Sequence, residues 1–217
     1  MSNSSDSSSA VPVLETRGLT VRFGGHVAVN AVSCAFQRGT LTAIVGPNGA
    51  GKTTYFNLVS GQIPATARAE VGIKLFSLWD SRRDLIEKAD AILEEVALAH
   101  QRDLPAMNLP HGDQRKLEVG LMLALEPEVF MFDEPTAGMS VDEVPVILDL
   151  IKRIKARGDK CILLVEHKMD VVRELADRIV VLHNGTLVAD GAPAEVIASP
   201  VVQEAYLGVA PKSAEAA

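Results

Sequence analysis

With 217 residues, 47% of them apolar, the chain is long enough to bury the core of one sizeable domain. No apolar run approaches the roughly 20 residues that cross a bilayer, and the Ser-rich stretch 1–10 has no apolar centre to serve as a signal peptide. A formal charge of −7 argues against a general nucleic-acid binder, since that role usually leaves a basic footprint, though charge alone leaves room for a localised basic patch.

Residues 1–10 read as a disordered tail, 11–208 as one domain and 209–217 as a flexible end. Residues 11–14 and 19–23 are expected as short strands broken at Arg17-Gly18, and 31–36 and 41–45 as further strands, giving an opening β layer. Cys34 and Cys161 each sit inside an apolar run, which predicts buried thiols in a reducing compartment, the cytoplasm. From Lys52 the pattern turns helical until Gly61 and Pro64 end it. Residues 65–80 show no sustained periodicity. Leu85, Ala89, Leu93 and Val96 then recur at helical spacing in a helix expected over 81–99, with Ser81 and Asp84 placed to cap it. A helix over 113–125 leads to a buried strand, 129–132, that opens onto Asp133-Glu134. Ser140 and Glu143 form a capping-box pattern ahead of the apolar stripe Val144, Ile147, Leu148, Ile151 and Ile154. Strand 161–165, helix 168–177 and strand 179–182 follow, and Asn184-Gly185 marks a hairpin turn into Leu187-Val188. Strands alternating with helices predict an α/β fold with a mostly parallel sheet covered on both faces.

Chemistry concentrates first at Gly46, Pro47, Asn48, Gly49, Ala50, Gly51, Lys52 and Thr53, with Thr54 next in line. The string matches the P-loop pattern and lies between a predicted strand and a predicted helix, where that loop has to be. Its glycines let main-chain N–H groups curl around phosphate oxygens, Lys52 reaches the outer phosphates, and Thr53 is a magnesium ligand. Asp133, at the carboxyl edge of a buried strand, is placed to hold the magnesium shell, and Glu134 to orient or deprotonate the attacking water. His167 ends another strand at the same edge; alone it would more often be a structural histidine.

Taken together, the P-loop, Leu109-Pro110-His111-Gly112-Asp113, Asp133-Glu134-Pro135-Thr136-Ala137-Gly138 and Val165-Glu166-His167 resemble, in order, the nucleotide-binding subunits of ABC transporters. Phe23 before Gly24 resembles that family's adenine-stacking aromatic. Arg22-Phe23-Gly24-Gly25, Leu117-Glu118 and Ala205-Tyr206-Leu207-Gly208 bring the resemblance nearest to the ATPases of importers for branched-chain amino acids and related amides. The resemblance implies ATP and Mg2+ as cofactors and an ABC-type cassette with an antiparallel β layer and a helical subdomain. It also implies pairing with a second ATPase subunit, equal or different, on membrane permease subunits at the inner face of the cell membrane. A solute-binding protein outside would be an indirect partner. His111 and Gly112 would contribute in trans to ATP held on the partner's P-loop.

Three features depart from that pattern. Leu-Pro-His-Gly-Asp stands where the family usually has Leu-Ser-Gly-Gly-Gln, and Pro110 has no N–H to donate. Ser140 stands where the family usually places Asp. Gly112 lies only 60 positions after Lys52, closer than in the family, and none of Gln37, Gln62, Gln101, Gln114 or Gln203 lies where the family's glutamine loop belongs. The interval 65–112 is therefore read as a reduced helical region with a deletion near 65–80. A subunit that binds ATP without hydrolysing it is the alternative this raises. A P-loop phosphotransferase of another class would account for 46–53, but not for 109–115 or His167.

Overall fold

The computed structural model describes residues 11–62 and 82–207. The expected tails, the stretch 65–80 and the Ser81 cap lie outside the described residues. Within them the fold is α/β, as expected.

β1 (Leu14–Phe23) and β2 (His26–Phe36) form an antiparallel pair. The break expected at Arg17-Gly18 is instead an irregularity within one strand, because Gly18 takes a left-handed φ of +56° and the pairing register shifts there without the strand ending. β3 (Leu41–Val45), β4 (Val129–Asp133), β5 (Cys161–Val165), β6 (Arg178–His183) and β7 (Thr186–Gly191) make the second sheet in the order β4-β5-β3-β6-β7. All its neighbours are parallel except β6 and β7, which the Asn184-Gly185 turn forces to run antiparallel. β3 and β5 are buried at every position, as continuous apolar runs covered on both faces should be.

One face of this sheet, through Ile44, Leu163, Val165, Val180 and Leu182, packs on β1, β2 and helix α1 (Lys52–Val59). The other, through Leu41, Phe130, Phe132, Ile162 and Leu164, packs on α2 (Arg82–Glu95), α3 (His111–Ala124), α4 (Val144–Ala156) and α5 (Met169–Leu175). Val172 of α5 with Val196 and Val202 of α6 (Pro193–Ala198) and α7 (Pro200–Leu207) covers β6. The anticipated stripe of α4 is buried at Ile147, Leu148, Ile151 and Ile154, with Val144 at its start half-buried. Cys34 and Cys161 are free and buried, and burial pushes both thiols up to about 11.

Helix ends differ from expectation. α2 stops at Glu95, well before residue 99. Ala97 takes a left-handed φ of +57°, the Leu98 N–H reaches back to Leu93 O (2.7 Å) and the Ala97 N–H to Glu94 O (3.0 Å), a Schellman closure made without glycine. α3 starts at His111, so Gly112 lies inside its first turn and not ahead of it.

Candidate functional site

The parallel strands deliver their carboxyl ends to one edge of the sheet. Register aligns Ile44, Val165 and Asp133 in one row across β3, β5 and β4. Asp133 therefore stands two strand spacings, about 10 Å, from the strand that feeds the P-loop. Glu134 follows Asp133, and Glu166 and His167 follow Val165, so four ionisable groups share the edge where ligands of parallel sheets bind.

The loop over 46–51 is shaped by positive φ at Gly46 (+155°), Gly49 (+79°) and Gly51 (+94°). Two of these glycines leave no room for a side chain. A Cβ on Gly46 would overlap the Leu182 carbonyl oxygen at the end of β6, and one on Gly51 would come within 2.5 Å of the Ala28 carbonyl oxygen on β2. The Gly185 N–H in the β6–β7 turn donates to Ala50 O (3.0 Å), and the Asn30 N–H donates to Gly185 O (2.8 Å). The hairpin read from Asn184-Gly185 thus also buttresses the P-loop. Sequence reasoning missed this, because the turn signal says nothing about what the turn touches.

Gly51 caps α1 with no side-chain hydrogen bond, and the first turn carries no acidic residue, so its main-chain N–H groups remain open to an anion. Lys52 is buried, and its ammonium donates to Gly46 O (2.8 Å) and Pro47 O (3.1 Å). Burial pulls its pKa down, while the charges of Glu134 and Asp133 oppose that fall. Burial raises the pKa of Asp133, the Glu134 charge adds to the rise, and Lys52 opposes it. Lys52, Asp133 and Glu134 therefore form one electrostatic unit around the loop. A cradle of N–H groups closed by glycines that exclude Cβ, with a cation and two carboxylates beside it, fits a magnesium nucleotide. Thr53 is exposed at the start of α1, with Thr54 half-buried behind it, and the loop residues Asn48 and Gly49 are exposed while Pro47 is half-buried.

Glu134 adopts a left-handed φ of +45°, rare for a residue with a Cβ. Its N–H is fixed by Val165 O (2.9 Å), and its carboxylate lies 3.4 Å from His167 Nδ1. The structure thus brings together two residues 33 positions apart in sequence whose roles were assigned from motif order. Phe23 ends β1, is 52% exposed and pairs with His26, two residues from the Ala28 carbonyl that meets Gly51. An exposed aromatic at the mouth of the loop is the arrangement that base stacking needs.

His111 and Gly112 sit elsewhere. His111 is exposed at the start of α3, and a Cβ on Gly112 would overlap the Glu143 carboxylate. That carboxylate accepts from the Ser140 N–H (3.0 Å) and Oγ (2.8 Å), which is half of the expected capping box. The hydroxyl donates to the acid and does not cap the helix.

A family model described as ABC transporter matches residues 29–75, and one described as branched-chain amino acid ATP-binding cassette transporter matches residues 186–211. The chain is similar to the high-affinity branched-chain amino acid transport ATP-binding protein LivG of Salmonella typhimurium, 31% identical over 252 residues, covering 92% of this chain and 99% of that one. It matches BraF of Pseudomonas aeruginosa, described in the same words, at the same identity and coverage. Both alignments run to 252 positions against 217 residues here, so at least 35 positions of each relative have no counterpart in this chain. Among solved structures, an ATP-binding cassette of an ABC transporter in its ADP conformation superposes with a TM-score of 0.77 at 25% identity, over 90% of this chain and 98% of that one.

Proposed function

The chain belongs to the ATP-binding proteins of ABC transporters, an ATP-hydrolysing family, and from that premise we propose that it powers an importer of branched-chain amino acids or related amides. The observation that carries this reading is the convergence of the P-loop, Asp133, Glu134 and His167 on one sheet edge, with Lys52 coupled to both carboxylates. Nucleotide phosphates lie in the N–H cradle of residues 46–51 and against the first turn of α1, with Lys52 releasing Gly46 O and Pro47 O to meet them. Phe23 stacks on the base. Thr53 and Asp133 would hold magnesium, which when bound would offset the charge of the outer phosphates. Glu134 would orient the attacking water and draw off its proton, and His167, 3.4 Å from Glu134, would contact the terminal phosphate.

His111 and Gly112 serve a nucleotide held by a second ATPase subunit, and the pair works on membrane permeases at the inner face of the membrane, fed by a solute-binding protein outside. In keeping with a peripheral place, no helix among the described residues is long and apolar enough to cross a membrane. A second reading, ATP binding with impaired or no hydrolysis, rests on the absence of a glutamine where the family's glutamine loop belongs. Magnesium-dependent ATPase assays on wild type and Glu134→Gln separate them. The main reading predicts wild-type turnover that falls at least about 100-fold in the variant. Unchanged turnover in Glu134→Gln would refute the role of Glu134, and tight ATP binding without wild-type turnover would favour the second reading.

A further inference from the structure

The loops after β4 and β5 carry the two groups assigned to water activation, and a third contact joins them. The Lys168 ammonium, one residue past His167, donates to Thr136 Oγ1 at 3.2 Å, two residues past Glu134. Thr136 is only 1% exposed, so its hydroxyl is a polar group that folding removes from water and that must find a partner. The Lys168 N–H in turn points at Glu166 Oε1 (3.4 Å), so a single residue reaches from the β5 loop to the β4 loop with its side chain and back to its own loop with its main chain.

Glu134 needs such support. A left-handed φ at a residue with a Cβ persists only where its surroundings over-determine it; the Glu134 N–H to Val165 O bond and the Ala137 N–H to Glu134 O bond (2.9 Å) fix its main chain and the turn beyond, but neither ties that turn to the β5 loop past Val165, where His167 stands. The 3.4 Å Glu134–His167 contact is long for a hydrogen bond and, between half-exposed groups, cannot hold two loops in register. The Val165 contact is made at Glu134 itself and the Lys168 contact two residues further along the same loop, so the two tie the β4 loop to the β5 loop at two points.

We infer that Lys168 and Thr136 are a positioning pair that holds Glu134 and His167 in the mutual register water activation requires. The assignment rests on the roles given above to Glu134 and His167. The ammonium touches no reacting atom and acts only through the loop it fastens.

The test uses Lys168→Met, Thr136→Val, the double variant and Lys168→Arg in the full chain, with Glu134→Gln alongside. Expected are a fall of about tenfold in kcat in each single apolar variant, KM for ATP and thermal midpoint within error of wild type in Lys168→Met, and recovery of most of the loss in Lys168→Arg. The double variant should be no slower than the slower single, because both remove the same contact. Hydrogen exchange at the Glu134 N–H reports the same register without turnover and should quicken at least about tenfold in Lys168→Met. Lys168→Met turnover within twofold of wild type overturns the inference, as does unchanged Glu134 exchange in a preparation that does not turn over. Wild-type turnover in Glu134→Gln refutes the underlying role of Glu134 instead, so the two failures are distinguishable.

Discussion

Gly46 is the tightest single position of the site: its φ is positive, and the volume of a methyl group is already filled by the Leu182 carbonyl oxygen. Gly46→Ala is expected to lose at least about 2 kcal/mol of stability or to fail to fold, because main chain cannot move aside cheaply. Gly61, with φ +77° and open space around it, is the control, and Gly61→Ala should cost about 1 kcal/mol. Chemical denaturation of both variants tests the contrast. Glu166 offers a second residue-scale expectation. It is fully buried, its Oε2 has no hydrogen-bond partner, and burial raises its pKa above the ordinary glutamate value. A folded-state pKa that is raised favours the folded form at low pH, and that contribution is lost as pH rises through the raised value. Glu166→Gln should therefore be more stable than wild type at pH 8, with the gap closing as pH falls toward the ordinary carboxylate range. Denaturant midpoints against pH would read this out, and a gap that widens on acidification would contradict it.

At the scale of elements, β3, β5 and the stripe of α4 were legible because their burial is written directly in apolar runs and helical spacing. That the P-loop, Asp133, Glu134 and His167 come to one edge of the sheet was legible because motif order and strand ends agree. Boundaries set by main-chain geometry were not. Gly18 reads as a strand breaker until β2 is seen to follow the irregularity, and Ala97 gives no composition signal for the left-handed turn that ends α2. Nor does any pattern foretell that Gly185 supports Ala50 or that Lys168 reaches Thr136, since such contacts depend on which strand ends become neighbours. Ala97 carries a prediction of its own. Glycine takes the same φ without strain, so Ala97→Gly should stabilise the protein by about 1 kcal/mol, against the usual sign of that substitution, as a shift of the urea midpoint would show.

For the whole molecule, the two halves of the nucleotide machinery stand differently. The P-loop, its buttress from β2 and the β6–β7 turn, and the carboxylates at the sheet edge are assembled within this one chain. The interval between Lys52 and Gly112 is the stretch we propose to be shortened, and LivG holds at least 35 positions with no counterpart in this chain. Binding should therefore be less affected than turnover, since the cradle draws on none of the shortened stretch. The most direct measurement is calorimetric titration of wild type and Lys52→Ala with magnesium ATP. Wild type should bind saturably and one-to-one, with affinity at least about tenfold weaker in Lys52→Ala. Equal affinity in the two proteins, or no binding by a folded wild type, would contradict it.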